Sequence, residues 1–367
     1  MRAKRAVLAC GGTGGHFYPG LVLGQALKQR GWEPLFVLRR DDPASSVLNA
    51  ADLPFVELDL TGMPRGFSPR WPAFGLRLFK SLISANAVLR SFHPDCAVGM
   101  GAYITFPVII AAWRRKIPAM IHESNSAFGL ANRACLPFVS KAALGLPGSE
   151  TARRPGRVRY ELTGTPVRPE LLRLPAGNEA RRALGLSPEL PTLLAFGGSQ
   201  GARGINRVLP QALRELAERR PDSFQCLHLT GPAEEGEVRA AYEGARMRAV
   251  VKPYLQEMHL AYGAADLVVC RSGASTIAEL CATRKPAILI PFPSAAAGHQ
   301  EDNARVLTRI GAAQMIREKD AGAHLLAAAV EAGLFSAGFH GRYEELGLPE
   351  PPDTIAALVR MVESLTL

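Results

Sequence analysis

The sequence predicts an α/β fold of two similar domains, each built on a parallel sheet, facing a shared cleft. Two glycine clusters predict it, because each directly follows a short apolar run: residues 11–15 follow 6–10, and residues 197–202 follow 193–196. A strand, a glycine turn and a helix present backbone N–H groups to an anionic ligand. The length of 367 residues exceeds what one hydrophobic core usually serves, and 47% apolar residues supply two.

In the first half, apolar runs alternate with amphipathic patterns, which is typical of a parallel sheet covered on both faces. The predicted strands are 6–10, 34–38, 54–60, 95–99, 117–121 and 141–146, and the predicted helices lie near 20–30, 73–91, 105–115 and 127–135. Residues 166–190 contain four prolines and several charges, so they predict a linker.

The same alternation restarts after the linker. Its predicted strands are 192–196, 224–230, 247–252, 266–270, 286–291 and 312–316, and its predicted helices are 203–219, 256–263, 274–284, 301–310 and 353–365. We therefore place one domain at 1–165, a second at 191–345 and a final helical segment at 346–367.

Composition indicates which classes of partner the chain binds and in which compartment it works. The net charge of +10 makes phosphorylated small molecules, anionic lipid and nucleic acid eligible partners, but the basic residues come in short groups without an aromatic-rich segment, which argues against nucleic acid. The six cysteines are scattered without metal spacing, as expected of core residues in a reduced compartment. No apolar stretch approaches the roughly 20 residues that span a bilayer, and no signal peptide is recognisable. We expect a cytosolic chain.

The first glycine cluster does not match a dinucleotide-binding fingerprint. Phe17 stands where the third glycine would fall, and the second strand ends in Arg39 and Arg40 instead of a ribose-binding carboxylate. An NADP-type site that uses those arginines stays open.

A second turn favours a sugar nucleotide. Residues 271–276 follow the strand 267–270 and are rich in N–H and hydroxyl donors, which suit a diphosphate or sugar hydroxyls. Glu279 follows on the predicted helix, where its carboxylate can accept two hydrogen bonds from a ribose diol. The alternative is that it only complements the helix dipole.

Taken together, seven motifs in order resemble those of the bacterial lipid I N-acetylglucosaminyltransferases of peptidoglycan synthesis, the MurG family. They are residues 11–20 (GGTGGHFYPG), 99–103 with Pro107, 122–125 (HESN), 163–168 (TGTPVR), 197–202, 271–279 and 299–304 (HQEDNA). The resemblance covers nearly the whole chain. Ser124 departs from the common HEQN, and residues 291–298 are smaller and less charged than in some members.

The resemblance implies a GT-B architecture, with two Rossmann-like domains whose parallel sheets face an inter-domain cleft and a last helix that returns to the first domain. It implies inverting transfer of N-acetylglucosamine from UDP to the 4-hydroxyl of the muramoyl sugar of undecaprenyl-diphosphate-linked MurNAc-pentapeptide (lipid I), giving lipid II. Two alternatives stay open: another GT-B enzyme, with a different acceptor or acting as a UDP-N-acetylglucosamine 2-epimerase, and a non-catalytic sugar-nucleotide or lipid-binding protein.

His16 is the predicted catalytic base, because an imidazole transfers protons near neutral pH; capping a helix or binding an acceptor phosphate is its alternative role. The other predicted acceptor and diphosphate contacts are Gly14, Gly15 and Tyr103. His122 lies at an apolar strand end and is predicted to be structural.

The predicted donor site uses N–H groups, hydroxyls and Arg168 for the diphosphate, Asn125 and Gln300 for the sugar, and, by the resemblance, Tyr254 and Leu255 for uracil. A plain core role is the alternative for the last two. The full set is Thr13, Gly14, Gly15, Asn125, Arg168, Ser199, Gln200, Tyr254, Leu255, Ser272, Ala274, Ser275, Thr276, Glu279, His299, Gln300 and Asn303.

No Asp-x-Asp pair stands at a strand end, so we expect no obligatory metal or cofactor. A lipid acceptor requires a membrane-facing surface, and the predicted patch mixes aromatic and basic side chains: Phe67, Arg70, Trp71, Phe74, Arg77, Phe79 and Lys80. The alternative is an ordinary helix that buries Phe74, Leu78 and Leu82. We expect a peripheral protein on the cytoplasmic face of the bacterial membrane, with other cell-wall synthesis proteins as further candidate partners.

Overall fold

The computed structural model describes residues 2–11, 14–60, 69, 71–148, 158–198, 200–295, 298–336, 338–339 and 341–366. The chain forms two compact units, one of Met1–Arg168 with Gly347–Leu367 and the other of Pro169–Leu346. Most of the segment that we predicted to be a linker, 169–190, therefore belongs to the second unit.

In the described residues up to Arg168, the first unit alternates seven strands with five helices. They are β1 (Arg5–Ala9), α1 (Gly14–Gln29), β2 (Glu33–Arg39), α2 (Ala44–Ala50), β3 (Phe55–Leu58), α3 (Trp71–Phe92), β4 (Cys96–Gly99), α4 (Thr105–Arg114), β5 (Ala119–Glu123), α5 (Leu130–Cys135), β6 (Lys141–Leu144) and β7 (Arg159–Leu162). The strands form one parallel sheet in the order β3-β2-β1-β4-β5-β6-β7.

The second unit repeats this plan with six strands. Its elements are α6 (Gly177–Ala183), β8 (Thr192–Phe196), α7 (Arg203–Arg219), β9 (Gln225–Leu229), α8 (Glu235–Ala241), β10 (Arg248–Lys252), α9 (Met258–Ala264), β11 (Leu267–Cys270), α10 (Ala274–Thr283), β12 (Ala287–Leu289), α11 (His299–Arg309), β13 (Ala313–Met315) and α12 (Ala323–Phe335). The parallel order is β10-β9-β8-β11-β12-β13.

The order of strands reverses between β1 and β4 in one sheet and between β8 and β11 in the other. Such a switch point opens a crevice at the carboxyl ends of the strands, where open α/β sheets bind ligands. Both glycine clusters lie at these points. The two Rossmann-like α/β units that the sequence predicts are confirmed.

Strands at the centre of each sheet, such as β4 and β11, are apolar because helices cover both faces of the sheet. Residues Ala6–Ala9 of β1 and all of β11 are fully buried. The six cysteines are free, and five of them are buried. The five buried cysteines are core residues, as the sequence predicts.

The last helix, α13 (Pro351–Glu363), belongs to the first unit and packs against α1. Lys4 Nζ donates to Thr366 Oγ1 at 2.9 Å, and Arg30 pairs with Glu363 at 3.2 Å. In the part of the chain that is described, no helix is long and apolar enough to cross a membrane.

Candidate active site

His16 lies on the first turn of α1, at the switch point of the first sheet. Its half-buried ring places Nδ1 2.9 Å from the carbonyl oxygen of Met100, in the loop after β4. A carbonyl oxygen only accepts, so Nδ1 carries the hydrogen. In the neutral ring, Nε2 is then the nitrogen whose lone pair accepts a proton. The hydrogen bond to Met100 thus decides which nitrogen of the predicted base accepts a proton.

Gly101 makes room for this imidazole. Its φ of +100° is a conformation that favours glycine, and a Cβ at this position would lie 2.9 Å from His16 Nδ1. The sequence motif contains Gly101, but its role becomes visible only when β4 is placed beside β1.

His122 has a structural role. Its Nε2 donates to the carbonyl oxygen of Gly164 at 3.0 Å, and its Nδ1 lies 3.3 Å from Ser124 Oγ. The ring is fully buried, and this burial lowers the pKa of His122. The neutral ring therefore joins β5 to the segment after β7.

Glu123 orders the loop that contains Asn125. One carboxylate oxygen accepts from the backbone N–H and the side-chain amide of Asn125, at 3.0 and 2.9 Å. The other accepts from Gly129 N and Asn132 Nδ2, both at 2.9 Å. Sequence reasoning missed this role, although a carboxylate that ends an apolar strand was a usable signal.

The other predicted residues of the first unit are placed as follows. Gly14 and Gly15 begin α1, Tyr103 is exposed in the loop after β4, and the Arg168 guanidinium lies over the Tyr18 ring, 5.5 Å from its centroid. Thr13 lies outside the described residues.

In the second unit, three helices begin beyond the carboxyl ends of neighbouring strands: α7 after β8, α10 after β11 and α11 after β12. The residues that precede α10 and α11, Gly273 and Gly298, offer no side-chain cap to the first N–H groups. Within the described part of the chain, Ser275 Oγ and His299 Nδ1 are buried without a hydrogen-bond partner. Such unsatisfied groups at helix N-termini suit an anionic, hydroxyl-rich ligand.

Ser272, Gln300 and Asn303 hold α10 and α11 together. Ser272 Oγ donates to the Gln300 carbonyl at 2.7 Å, and Asn303 Nδ2 donates to the Ser272 carbonyl at 3.2 Å. Gln300 Oε1 accepts from the Phe292 N–H at 2.9 Å. Ser272 and Asn303 are fully buried, so in this structure their side chains position the site's helices. Their contacts with a ligand stay predictions.

Arg271 holds the segment after β12 in place through a set of contacts that we call the Arg271 clamp. The sequence motif contains Arg271 but does not indicate these contacts. Its guanidinium donates to the carbonyls of Ile290 and Pro291, at 3.0 and 3.1 Å, and pairs with Glu318. The clamp fixes the chain after β12, which leads into α11.

Glu279 is half-buried on α10, and one of its oxygens accepts from the hydroxyl of Tyr262 at 2.9 Å. Ala274 and Thr276 are half-buried in the first turn of the same helix. Sequence reasoning missed Tyr262, since nothing in the spacing from 262 to 279 indicates a contact.

The two residues predicted for uracil differ in exposure. Tyr254 is 52% exposed after β10, whereas Leu255 is 7% exposed and therefore has the core position that we left as its alternative. Gln200 is exposed in the turn after β8, and Ser199 lies outside the described residues. Gly201 permits the close turn there, because a Cβ would lie 1.9 Å from the carbonyl oxygen of Thr230.

Helix α3 has two apolar faces. Ala85 and Leu89 lie in the core of the first unit, and the half-buried Phe74 and Leu78 pack against it. The part of Phe74 in a membrane patch stays a prediction. On the opposite face an exposed row that we call the α3 stripe consists of Leu76, Phe79 and Ile83. Trp71, also exposed, packs edge-to-face on Phe74 at the start of the helix. Arg77 and Lys80 are also exposed, while Phe67 and Arg70 lie outside the described residues.

Two family models match this chain: the glycosyltransferase family 28 N-terminal domain at residues 6–144 and the family 28 C-terminal domain at residues 192–338. A relative from Elusimicrobium minutum is 38% identical over 99% of this chain and 100% of its own length. Its name is UDP-N-acetylglucosamine–N-acetylmuramyl-(pentapeptide) pyrophosphoryl-undecaprenol N-acetylglucosamine transferase. The chain belongs to the MurG family of glycosyltransferases. The resemblance in the motifs is confirmed.

Solved structures agree on the fold. MurG of Acinetobacter baumannii superposes with a TM-score of 0.77 at 23% identity, covering 98% of this chain and 99% of that one. The UDP-GlcNAc 2-epimerase of Methanocaldococcus jannaschii superposes with a TM-score of 0.66 at 12% identity, covering 98% and 99%. Because the architecture is common to transferase and epimerase, the fold alone does not separate them.

Proposed function

We propose that this chain is an inverting glycosyltransferase that moves N-acetylglucosamine from UDP-N-acetylglucosamine to the 4-hydroxyl of the muramoyl sugar of lipid I. The products are lipid II and UDP. The observation that carries the proposal is the 38% identity, over 99% of the chain, to a transferase whose name states both substrates.

His16 is the proposed base. The acceptor hydroxyl gives its proton to Nε2 while its oxygen attacks the anomeric carbon, and the bond from that carbon to the UDP oxygen breaks with inversion. The hydrogen bond from Nδ1 to Met100 supports this role, because it fixes the ring and stabilises the imidazolium that forms.

The second unit holds the proposed donor site. N–H groups at the starts of α10 and α11 meet the charge that develops on the diphosphate, and Ser275 and His299 provide buried polar atoms for the phosphates or the sugar. Glu279 accepts from the ribose hydroxyls, and the exposed ring of Tyr254 stacks on uracil. Because these hydrogen-bond donors meet the charge of the diphosphate, we propose that transfer requires no tightly bound metal or other cofactor.

We propose that the protein binds the cytoplasmic face of the membrane through the α3 stripe. On neighbouring α4, Trp113 is 54% exposed, and Arg115 Nη1 donates to Asn86 of α3 at 3.3 Å. The basic residues Arg114, Arg115 and Lys116 therefore flank the stripe. Exposed aromatic and aliphatic side chains beside cations suit an anionic lipid surface.

The test is incubation with radiolabelled UDP-N-acetylglucosamine and a short-chain lipid I analogue, followed by separation of the products. We expect label in a disaccharide lipid only when the acceptor is present. Label in an epimeric nucleotide sugar would identify an epimerase, and donor binding without any labelled product would identify a non-catalytic binder.

A further inference from the structure

The hydroxyl of Tyr262 contacts the carboxylate of Glu279 from the core of the second unit. Tyr262 is fully buried on α9, and its hydroxyl donates to Glu279 Oε2 at 2.9 Å. Its ring packs edge-to-face on Phe196 at the end of β8, with centroids 6.2 Å apart. Tyr262 thus connects the end of β8, which precedes the second glycine cluster, to Glu279, the predicted ribose-binding residue.

The surroundings of Glu279 explain why such a partner matters. Glu279 is half-buried on α10, the helix that directly follows the fully buried strand β11. A charged group in that position is costly unless hydrogen bonds hold it. A tyrosine hydroxyl is a strong donor to a carboxylate, and this one is fixed by a buried ring.

We infer that Tyr262 is a positioning residue for ribose recognition: its hydroxyl holds the Glu279 carboxylate in the orientation that accepts hydrogen bonds from the ribose diol. The inference rests on the proposed function, because it assigns Glu279 to the ribose of UDP. Tyr262 acts through Glu279 and does not touch the nucleotide.

The experiment compares binding of UDP and 2′-deoxy-UDP to the full chain by calorimetry. In the parent protein, loss of the 2′-hydroxyl weakens binding about tenfold or more, the effect of one hydrogen bond to a charged group. Glu279→Ala should bring the ratio of the two dissociation constants close to one. Tyr262→Phe should weaken UDP binding about three- to tenfold and reduce the ratio to about threefold.

A double variant separates positioning from general structure. If Tyr262 acts through the carboxylate, Tyr262→Phe adds no further loss of UDP affinity in the Glu279→Ala background. Tyr242→Phe is the matched control, since Tyr242 is also a buried tyrosine of this unit but bonds to His228. Its ratio should equal that of the parent.

The outcomes are distinguishable. The inference is overturned if Tyr262→Phe keeps the parent's ratio of the two dissociation constants. It is also overturned if Tyr262→Phe weakens UDP binding equally in the parent and in the Glu279→Ala background. Either result leaves the proposed function intact. If the parent binds UDP and 2′-deoxy-UDP equally well, Glu279 does not recognise the 2′-hydroxyl, and the inference fails for that reason. A parent that binds neither nucleotide contradicts the proposed function as well.

Discussion

His16 and His122 are the two imidazoles of the first unit's site, and their hydrogen bonds give them opposite tautomers. His16 carries its hydrogen on Nδ1, facing Met100, whereas His122 carries it on Nε2, facing Gly164. Burial is the largest cause of the lowered pKa of His122. One ring is thus arranged to take a proton, and the other is kept neutral by burial.

Replacing the base should separate chemistry from donor binding. We expect His16→Ala to lower kcat about 100-fold or more, while UDP binding by the second unit stays nearly unchanged. Initial-rate kinetics and calorimetry on the same preparation measure both. His324→Ala is the control, because that histidine is highly exposed in the second unit. Near-normal turnover without His16 would remove it as the base.

Gly101→Ala tests the position of His16 without replacing the imidazole. The new methyl group would lie 2.9 Å from Nδ1 at a strained φ of +100°, so the ring must move from Met100. We expect kcat to fall about tenfold or more with unchanged donor KM. Gly236→Ala, where a Cβ meets open space, should leave both constants as they are. A parental kcat in Gly101→Ala would show that the ring position is not critical.

At the residue scale, sequence reasoning names candidate hydrogen-bond donors and a candidate base, but not the residues that support them. His16, Ser275 and His299 belong to motifs whose chemistry is recognisable from residue type. Tyr262 and Gly101 act through contacts between segments that are distant in sequence, and such pairings exist only once the sheet orders its strands.

At the scale of elements, a buried polar network joins β9 to α7 and α8. His228 Nδ1 lies 3.0 Å from the Tyr242 hydroxyl, and its Nε2 lies 3.1 Å from Asn206 Oδ1. Complete burial lowers the pKa of His228 to about 3 from its ordinary value of 6.5. The folded chain therefore keeps this ring neutral where the unfolded chain protonates it.

This network makes the second unit sensitive to acid. The contribution of neutral His228 is complete above about pH 6.5 and is lost as the pH falls from there towards 3, by about 2 kcal/mol at pH 5. Urea unfolding at pH 7.5 and pH 5.0 should show a smaller loss of stability for His228→Gln than for the parent. His93→Gln, at an exposed position of the first unit, should behave like the parent. An equal loss in all three proteins would contradict the assignment.

Helix α3 should govern access to lipid. We expect the double variant Arg77→Gln/Lys80→Gln, and separately Leu76→Ser/Phe79→Ser, to lower co-sedimentation with anionic vesicles and to slow reaction with long-chain lipid I. Each basic residue contributes about 1 kcal/mol at low salt, so parental binding should weaken as salt rises. Leu325→Ser, at an exposed position of the second unit, is the control.

A soluble acceptor analogue distinguishes membrane access from damage to the site. The α3 variants should use it as the parent does. Parental vesicle binding, or equal loss of both reactions, would make the α3 stripe an ordinary exposed face.

The strands follow from the sequence better than the short helices do. Buried parallel strands such as β1 and β11 are continuous apolar runs, which stand out from their surroundings. Helices α2, α6 and α8 have seven residues each, and such lengths depend on tertiary contacts more than on pattern. The apolar stretch of α12 lacks a clear polar face, and β7 is a short edge strand with half-exposed residues, so both were missed.

At the scale of the whole molecule, the two units share one plan: the strand order of the second sheet repeats that of the first six strands of the first. Each unit places a glycine cluster and a helix N-terminus at its switch point. The repetition could be predicted from two glycine clusters alone. The boundary between the two units could not be predicted from the sequence. Residues 169–190 have the composition of a linker, yet they include α6, which packs on α9 of the second unit.

The central claim is an inverting transfer to one hydroxyl of the muramoyl sugar. The direct measurement is NMR analysis of the purified product made from UDP-N-acetylglucosamine and a lipid I analogue, which reports the anomeric configuration and the linked carbon. We expect a β linkage to the 4-hydroxyl, formed by the parent and nearly absent with His16→Ala. An α linkage, attachment at another hydroxyl, or an unlinked epimeric sugar would contradict the claim.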